Sequence, residues 1–199
     1  KFMKYNFIEI GTSDFKTLIQ DPSSGIGISI EPLKYYLDNL PDNPNVIKSN
    51  FALTSFKGEV KIYWVSPENI SKFNLPPWVR GCNSINKPHP SVKELLKEKH
   101  DEIVTVDTVK CTTWVKIIDL YNIESIDFLK IDTEGHDAII LEEYFKVCDY
   151  NPHLLAPKIQ FEYNVLSNPN LMNPVINKAT QMGYKGKRLG DDFELILNV

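Results

Sequence analysis

The chain has 199 residues, 42% of them hydrophobic, 24% charged and 11% aromatic, a globular balance that excludes a disordered polymer and fits one domain. With 22 basic side chains against 26 acidic ones the formal charge is −4, which counts against a protein that grips nucleic acid through its phosphates. Cys82, Cys111 and Cys148 form no C-x-x-C pair, so neither a disulfide framework nor a zinc knuckle is expected and a reducing, cytoplasmic setting fits; no signal-peptide pattern opens the sequence, and no run reaches the ~20 apolar residues of a membrane span.

Residues 5–10 (YNFIEI) are short, aromatic and β-branched and stop at Gly11, as a buried strand does. Residues 14–20 read as one or two helical turns, closed by Asp21-Pro22-Ser23-Ser24-Gly25. A second strand over 26–30 (IGISI) ends at Glu31-Pro32, and proline suits the first turn of a helix carrying Leu33, Tyr36, Leu37 and Leu40 at helical spacing. Residues 46–53 and 60–65 are two further strands, with a turn at Lys57-Gly58. The rhythm then breaks. Residues 66–103 hold Pro67, Pro76, Pro77, Gly81, Pro88 and Pro90, with one short helix expected over 91–99. A loop this long inside a compact domain is usually functional, and a lid or specificity insert is expected here.

Regular order returns over 103–113, followed by a helix around 114–120 and a strand over 126–131 (IDFLKI). A helix from His136 to about Val147, a strand over 158–163 and a helix over 173–182 come next, the last stopped by Gly183. Residues 184–188 and 193–197 close the chain as a hairpin around Leu189-Gly190-Asp191-Asp192. Alternating strands and helices predict an α/β fold in a single domain over 1–199: a mostly parallel sheet, helices on both faces, and a C-terminal antiparallel hairpin.

Ligands of open α/β sheets bind beyond the carboxyl ends of the strands, so the residues just past each strand carry the functional signal. The first strand ends Glu9-Ile10-Gly11-Thr12-Ser13, and twenty residues separate Gly11 from Glu31. A glycine at that turn admits close approach of a ligand, and an acid at that spacing accepts hydrogen bonds from ribose hydroxyls. The pattern serves a dinucleotide and a nucleoside alike. A pyrophosphate-binding turn wants three glycines; here there is one, and Asp14 follows it, an anion that would repel phosphate. S-adenosylmethionine, with a ribose, a sulfonium and an amino group but no phosphate, fits these acids better. In residues 126–137 (IDFLKIDTEGHD), Asp132 and Glu134 stand past a strand, then Gly135, then His136 opening a helix. Helix capping explains one acid, not the whole arrangement.

The segments FIEIGTSDF, IGISIEP, SNFALTSFKGEV, KIQFEYN and above all IDFLKIDTEGHDAIILE resemble the FkbM-type methyltransferases, a branch of the class I, S-adenosylmethionine-dependent group. The resemblance covers most of the chain outside 66–103 and implies a Rossmann-like class I methyltransferase sheet. The first motif departs from the family's D-x-G-A-N-x-G, with Glu9 for the first acid, Thr12 and Ser13 for Ala-Asn, and Phe15 for the last glycine. By this resemblance Glu9, Gly11 and Ser13 surround the methionine part of the cofactor and Glu31 holds the ribose. Asn50 and Phe51 lie along the adenine, and Asp132 faces the methyl-transfer site. An acceptor hydroxyl needs a base, for which Asp132 and His136 are the candidates, with Glu134 beside them. The implied activity is O-methylation of a sugar or other small hydroxylated acceptor, with no nucleic acid partner. No metal is expected; Asp132, Glu162 and Asn164, at neighbouring strand ends, are the oxygen ligands that would suit Mg²⁺ or Ca²⁺. Two other readings stay open. An NAD-dependent oxidoreductase shares the Gly11–Glu31 spacing, and a binding module that kept the fold but lost the chemistry is motivated by Phe15.

Overall fold

The computed structural model describes residues 2–13, 15 and 17–198. In chain order the strands are β1 (Met3–Ile10), β2 (Gly27–Ile30), β3 (Val46–Ser49), β4 (Ala52–Leu53), β5 (Gly58–Trp64), β6 (Ser84–Ile85), β7 (Thr105–Thr112), β8 (Ile123–Ile131), β9 (Lys158–Glu162), β10 (Tyr184–Leu189) and β11 (Asp192–Leu197). The helices are α1 (Lys34–Asn39), α2 (Pro67–Lys72), α3 (Pro90–Leu96), α4 (His100–Ile103), α5 (Trp114–Leu120), α6 (Asp137–Tyr150) and α7 (Pro169–Gln181).

The main sheet has the order β10-β11-β9-β8-β1-β2-β3. Strands β3, β2, β1, β8 and β9 run parallel, and β11 and β10 complete it as an antiparallel hairpin. The chain leaves β1 for β2 on one side and later returns to β8 on the other, so the switch in strand order falls at β1, where a crevice opens beyond the carboxyl ends. Ile8, Ile10, Ile28, Ile30, Leu129, Ile131, Ile159 and Phe161 form one buried face with α5, α6 and α7. Trp114 and Tyr144 stack there at 5.0 Å, and the Trp114 indole N–H donates to the Ile140 carbonyl. On the opposite face Val46 packs against Ile19, Leu37 and Leu40, from a 3₁₀ turn (Leu18–Gln20) and α1. Helices lie on both faces, as expected, and the second face becomes polar toward β8 and β9, with Lys130–Glu9 and Lys158–Glu194 ion pairs at 2.8 and 3.0 Å.

A second sheet, β4-β7-β5-β6, was not foreseen. The expected strand 46–53 breaks in two, because Asn50 turns its amide onto the carbonyls of Glu31 and Pro32, both at 2.9 Å. Residues before the break join β2, and Ala52 and Leu53 join β7. Strand β5 pairs antiparallel with both β7 and β6. The residues 66–103, read as largely irregular, hold three α-helices, two 3₁₀ turns (Pro77–Gly81 and Lys97–Lys99) and a strand around a small core of Val65, Val79, Val92, Leu96 and Ile103. Pro67, Pro77 and Pro90 stand in the first turns of helices, where a missing N–H costs nothing; prolines that read as breakers are starters. Of the turns expected over 14–20, Leu18–Gln20 is the helical one among the described residues; Asp14 and Lys16 lie outside them. Helix α1 begins after Leu33, two residues beyond Pro32. Helix α7 starts at Pro169, capped by the Asn168 side chain, and carries Pro174 inside it. Among the described residues no helix is long and apolar enough to cross a membrane, and all three cysteines are free.

Candidate active site

The loop after β1 is shaped by contacts on both sides. The Asp132 N–H donates to the Ile10 carbonyl at 2.9 Å, which brings the ends of β1 and β8 so close that a Cβ on Gly11 would sit 1.9 Å from the Asp132 carbonyl oxygen. With φ at +79°, Gly11 is required here for both reasons. Glu31 is buried and organises the same loop. Its Oε2 accepts the N–H groups of Thr12 (3.1 Å) and Ser13 (2.7 Å), and its Oε1 accepts that of Leu33 (2.9 Å). Glu9, also buried, pairs its Oε1 with Lys130 Nζ and accepts the Leu18 N–H at Oε2, both at 2.8 Å.

A pocket opens at these strand ends. Glu9, Gly11, Ser13, Glu31, Phe51, Asp132, Glu134 and His136 all line it, so the structure brings together the expected cofactor and catalytic residues except Asn50. Asn50 lies in an adjoining cleft with Phe51, its amide spent on the backbone. Ile62 of β5 and Gly81, Asn83 and Ile85 of the 66–103 segment complete the wall. Phe15, standing where the family motif has glycine, packs against that segment. The Arg80 guanidinium lies 4.4 Å from its ring centroid, a Cβ on Gly81 would come 2.6 Å from the ring, and Ser13 Oγ donates to the Arg80 carbonyl at 3.3 Å.

Beside the pocket, Asp132, Glu134 and Glu162 bring carboxylate oxygens within 4.8 Å of one another. Asp137, fully buried, fixes the geometry. It accepts the Thr133 N–H (2.9 Å) and hydroxyl and, from the neighbouring strand end, the Glu162 N–H (2.9 Å). Of the oxygen donors named from the sequence, Asn164 donates its amide to Glu162 Oε1 (2.6 Å) and turns its oxygen to the Leu166 N–H; the carboxylate that stands with those of Asp132 and Glu162 is that of Glu134. Glu134 is itself held by His89 Nε2 at 3.0 Å.

Burial and crowding decide the charges. Asp132 is exposed on the pocket side, yet the protein wall behind it, then Asp137 and Glu134, push its carboxyl up to about 7. Burial, then Glu134, Asp132 and Asp137, raise Glu162 to about 9. Burial lifts Asp137 to about 6 against the hydrogen bonds it accepts. His136 is driven the other way, to about 4, by burial, and its Nε2 lies 3.0 Å from Thr54 Oγ1. The Cys82 thiol rises to about 12, from burial and then Glu134 and Glu162, which removes it as a nucleophile.

Residues 9–185 match the methyltransferase FkbM domain. The chain belongs to the FkbM methyltransferase family. The match takes in the 66–103 segment, the whole of the second sheet and the main sheet from the end of β1 to the start of β10, so the FkbM domain here includes the part of the pocket wall that the motifs do not cover. No curated protein and no solved structure matches the chain significantly. Three residues of this candidate site are absent from the sequence-based candidates: His89, Thr54 and Asp137. Each acts on a partner far along the chain or at another strand end. Only Asp137, an acid in the first turn of a helix just past the acid pair, had a spacing that could have pointed to it.

Proposed function

We propose that this FkbM methyltransferase uses S-adenosylmethionine and methylates a hydroxyl of a sugar or another small acceptor. The observation that carries the proposal is the convergence of Glu31, the loop after β1, Asp132 and His136 on one pocket at the switch in strand order. Ribose hydroxyls would share Glu31 with the backbone amides it accepts, and the methionine part would lie along Gly11 and Ser13. Bound S-adenosylmethionine supplies a methyl group already activated for displacement, so alignment and exclusion of water are the protein's main tasks. The 66–103 segment, which contributes Gly81, Asn83 and Ile85 to the wall, would serve as the lid.

The remaining task is to take the acceptor's proton. A base works best with a pKa near the operating pH. Asp132, at about 7 and open to the pocket, meets that condition. His136, at about 4 and engaged with Thr54, is neutral and weakly basic, so it lines the site and Asp132 takes the proton. The carboxylates of Asp132, Glu134 and Glu162 offer hydrogen-bond acceptors to a polyhydroxylated ligand, which supports a sugar. A metal is not part of the proposal; Asp132, Glu134 and Glu162 are the carboxylates that would hold one. Three free cysteines, two of them buried, support a reducing, cytoplasmic setting.

The test is transfer of a labelled methyl group from S-adenosylmethionine to a panel of sugars and polyols. Wild-type protein should label at least one acceptor, and Asp132→Asn should lower kcat by about 10²–10⁴ while cofactor affinity stays within a few-fold. Equal labelling by the variant would contradict the role of Asp132. Cofactor binding without transfer to any hydroxylated acceptor would favour the silent binding module.

A further inference from the structure

The 66–103 segment reaches the Glu134 carboxylate through the buried side chain of His89. Its ring is fixed at both nitrogens. Nδ1 takes the N–H of Ser91 at 3.2 Å, the bond that caps α3, so Nδ1 is an acceptor and carries no proton. In the neutral ring the proton then sits on Nε2, 3.0 Å from Glu134 Oε2, and is donated to that carboxylate. Glu134 is turned toward the segment by a left-handed backbone, φ +53°, uncommon for a residue with a side chain. Its carbonyl accepts from Ser84 Oγ at 3.5 Å, a second tie to the same segment. Carboxylates of Asp132 and Glu162 stand within 4.8 Å, with Asp137 behind them. An ionised Asp132 this close repels the Glu134 carboxylate, and the His89 donor offsets that repulsion.

We infer that His89 is a positioning residue: through its Nε2–H bond it holds the Glu134 carboxylate on the pocket wall, where that charge favours the sulfonium of S-adenosylmethionine over the uncharged thioether of S-adenosylhomocysteine. The inference rests on the cofactor reading above. It gives one histidine two separable tasks, capping α3 and aiming Glu134.

Two replacements separate them. His89→Asn keeps an oxygen near the place of Nδ1 for the Ser91 N–H and loses the donor to Glu134. His89→Gln puts an amide N–H near the place of Nε2 and loses the cap. Calorimetry with S-adenosylmethionine and S-adenosylhomocysteine reads the ratio of the two dissociation constants in each variant and in Glu134→Gln. His89→Asn and Glu134→Gln should each shift that ratio about fivefold against S-adenosylmethionine. His89→Gln should keep the wild-type ratio while melting lower, and the double variant His89→Asn/Glu134→Gln should match Glu134→Gln alone. A merely structural histidine would weaken both ligands alike. A wild-type ratio in folded His89→Asn, or the same shift in the Asn and Gln variants, overturns the inference. Wild-type protein that binds neither ligand overturns the cofactor reading, and this inference with it.

Discussion

At the scale of single residues, Asp137 does more for the site than its place in the sequence suggests. It joins the loop after β8 to the end of β9 through the N–H groups of Thr133 and Glu162, and so sets how closely Asp132 and Glu162 approach. Asp137→Ala leaves these two part-buried N–H groups without this partner. At about 1–3 kcal/mol for each unmet group, a loss of about 2–6 kcal/mol is expected, measured by urea unfolding; a variant as stable as wild type would show that the two strand ends are held by something else. The crowded acids also give stability a pH dependence of definite sign. Asp132, Asp137 and Glu162 have folded-state pKa values above their ordinary ones, so the folded chain binds more protons than the unfolded one. Their contribution is complete below about pH 4 and is lost as pH rises through about 6, 7 and 9. His136, lowered from 6.5 to about 4, works in the opposite sense, adding stability as pH rises through that interval. The two effects offset below pH 6.5. Above it Asp132 and Glu162 alone remain, and the unfolding free energy should fall between about pH 6.5 and 9. Glu162→Gln should flatten the upper part of that fall; a profile rising across the interval would contradict the charge assignment.

At the scale of elements, the loop after β1 and the 66–103 segment behave as one unit, because Phe15 lies over Gly81 and against Arg80. Gly81→Ala places a methyl group 2.6 Å from the Phe15 ring, and the ring must move. Phe15 is 39% exposed, so its ring can swing aside and the contact with the 66–103 segment is lost at little cost in stability. S-adenosylhomocysteine should leave the variant faster by about tenfold, followed by stopped-flow displacement, and an unchanged dissociation rate would mean that the contact does not close the pocket. Local signals in the sequence were sufficient where an element is defined by its own residues: the strand IDFLKI and its acids, the glycine after β1, the closing hairpin. They failed where a distant partner decides. Nothing within 46–53 says that Asn50 will bond the carbonyls after β2 and send Ala52 and Leu53 into another sheet. Nothing around Pro88-His89-Pro90 says that this histidine will cap a helix with one nitrogen and hold Glu134 with the other. The prolines of 66–103 carried the information that helices begin there, but proline alone reads equally as a loop.

At the scale of the whole molecule, the strand order places the strand-end residues of the candidate site on one edge. β1 lies between β2 and β8, so Glu31, Gly11 and Asp132, each just past its own strand, meet although they are far apart in the chain. The α/β class and this edge were legible because the alternation of strands and helices, and the acids at strand ends, are properties of the sequence itself. The second sheet and its contribution to the pocket wall were not, because pairing among β4, β5, β6 and β7 is set by tertiary packing. The central claim is that this edge binds S-adenosylmethionine through Glu31, and calorimetric titration of wild-type and Glu31→Gln protein tests it most directly. Hydrogen bonds to a charged acceptor contribute about 1.5–3 kcal/mol, so the account predicts one saturable site in the wild type, weakened about 10- to 100-fold in a folded Glu31→Gln variant. No binding of S-adenosylmethionine or S-adenosylhomocysteine by the wild type, or equal affinity in the variant, would contradict it.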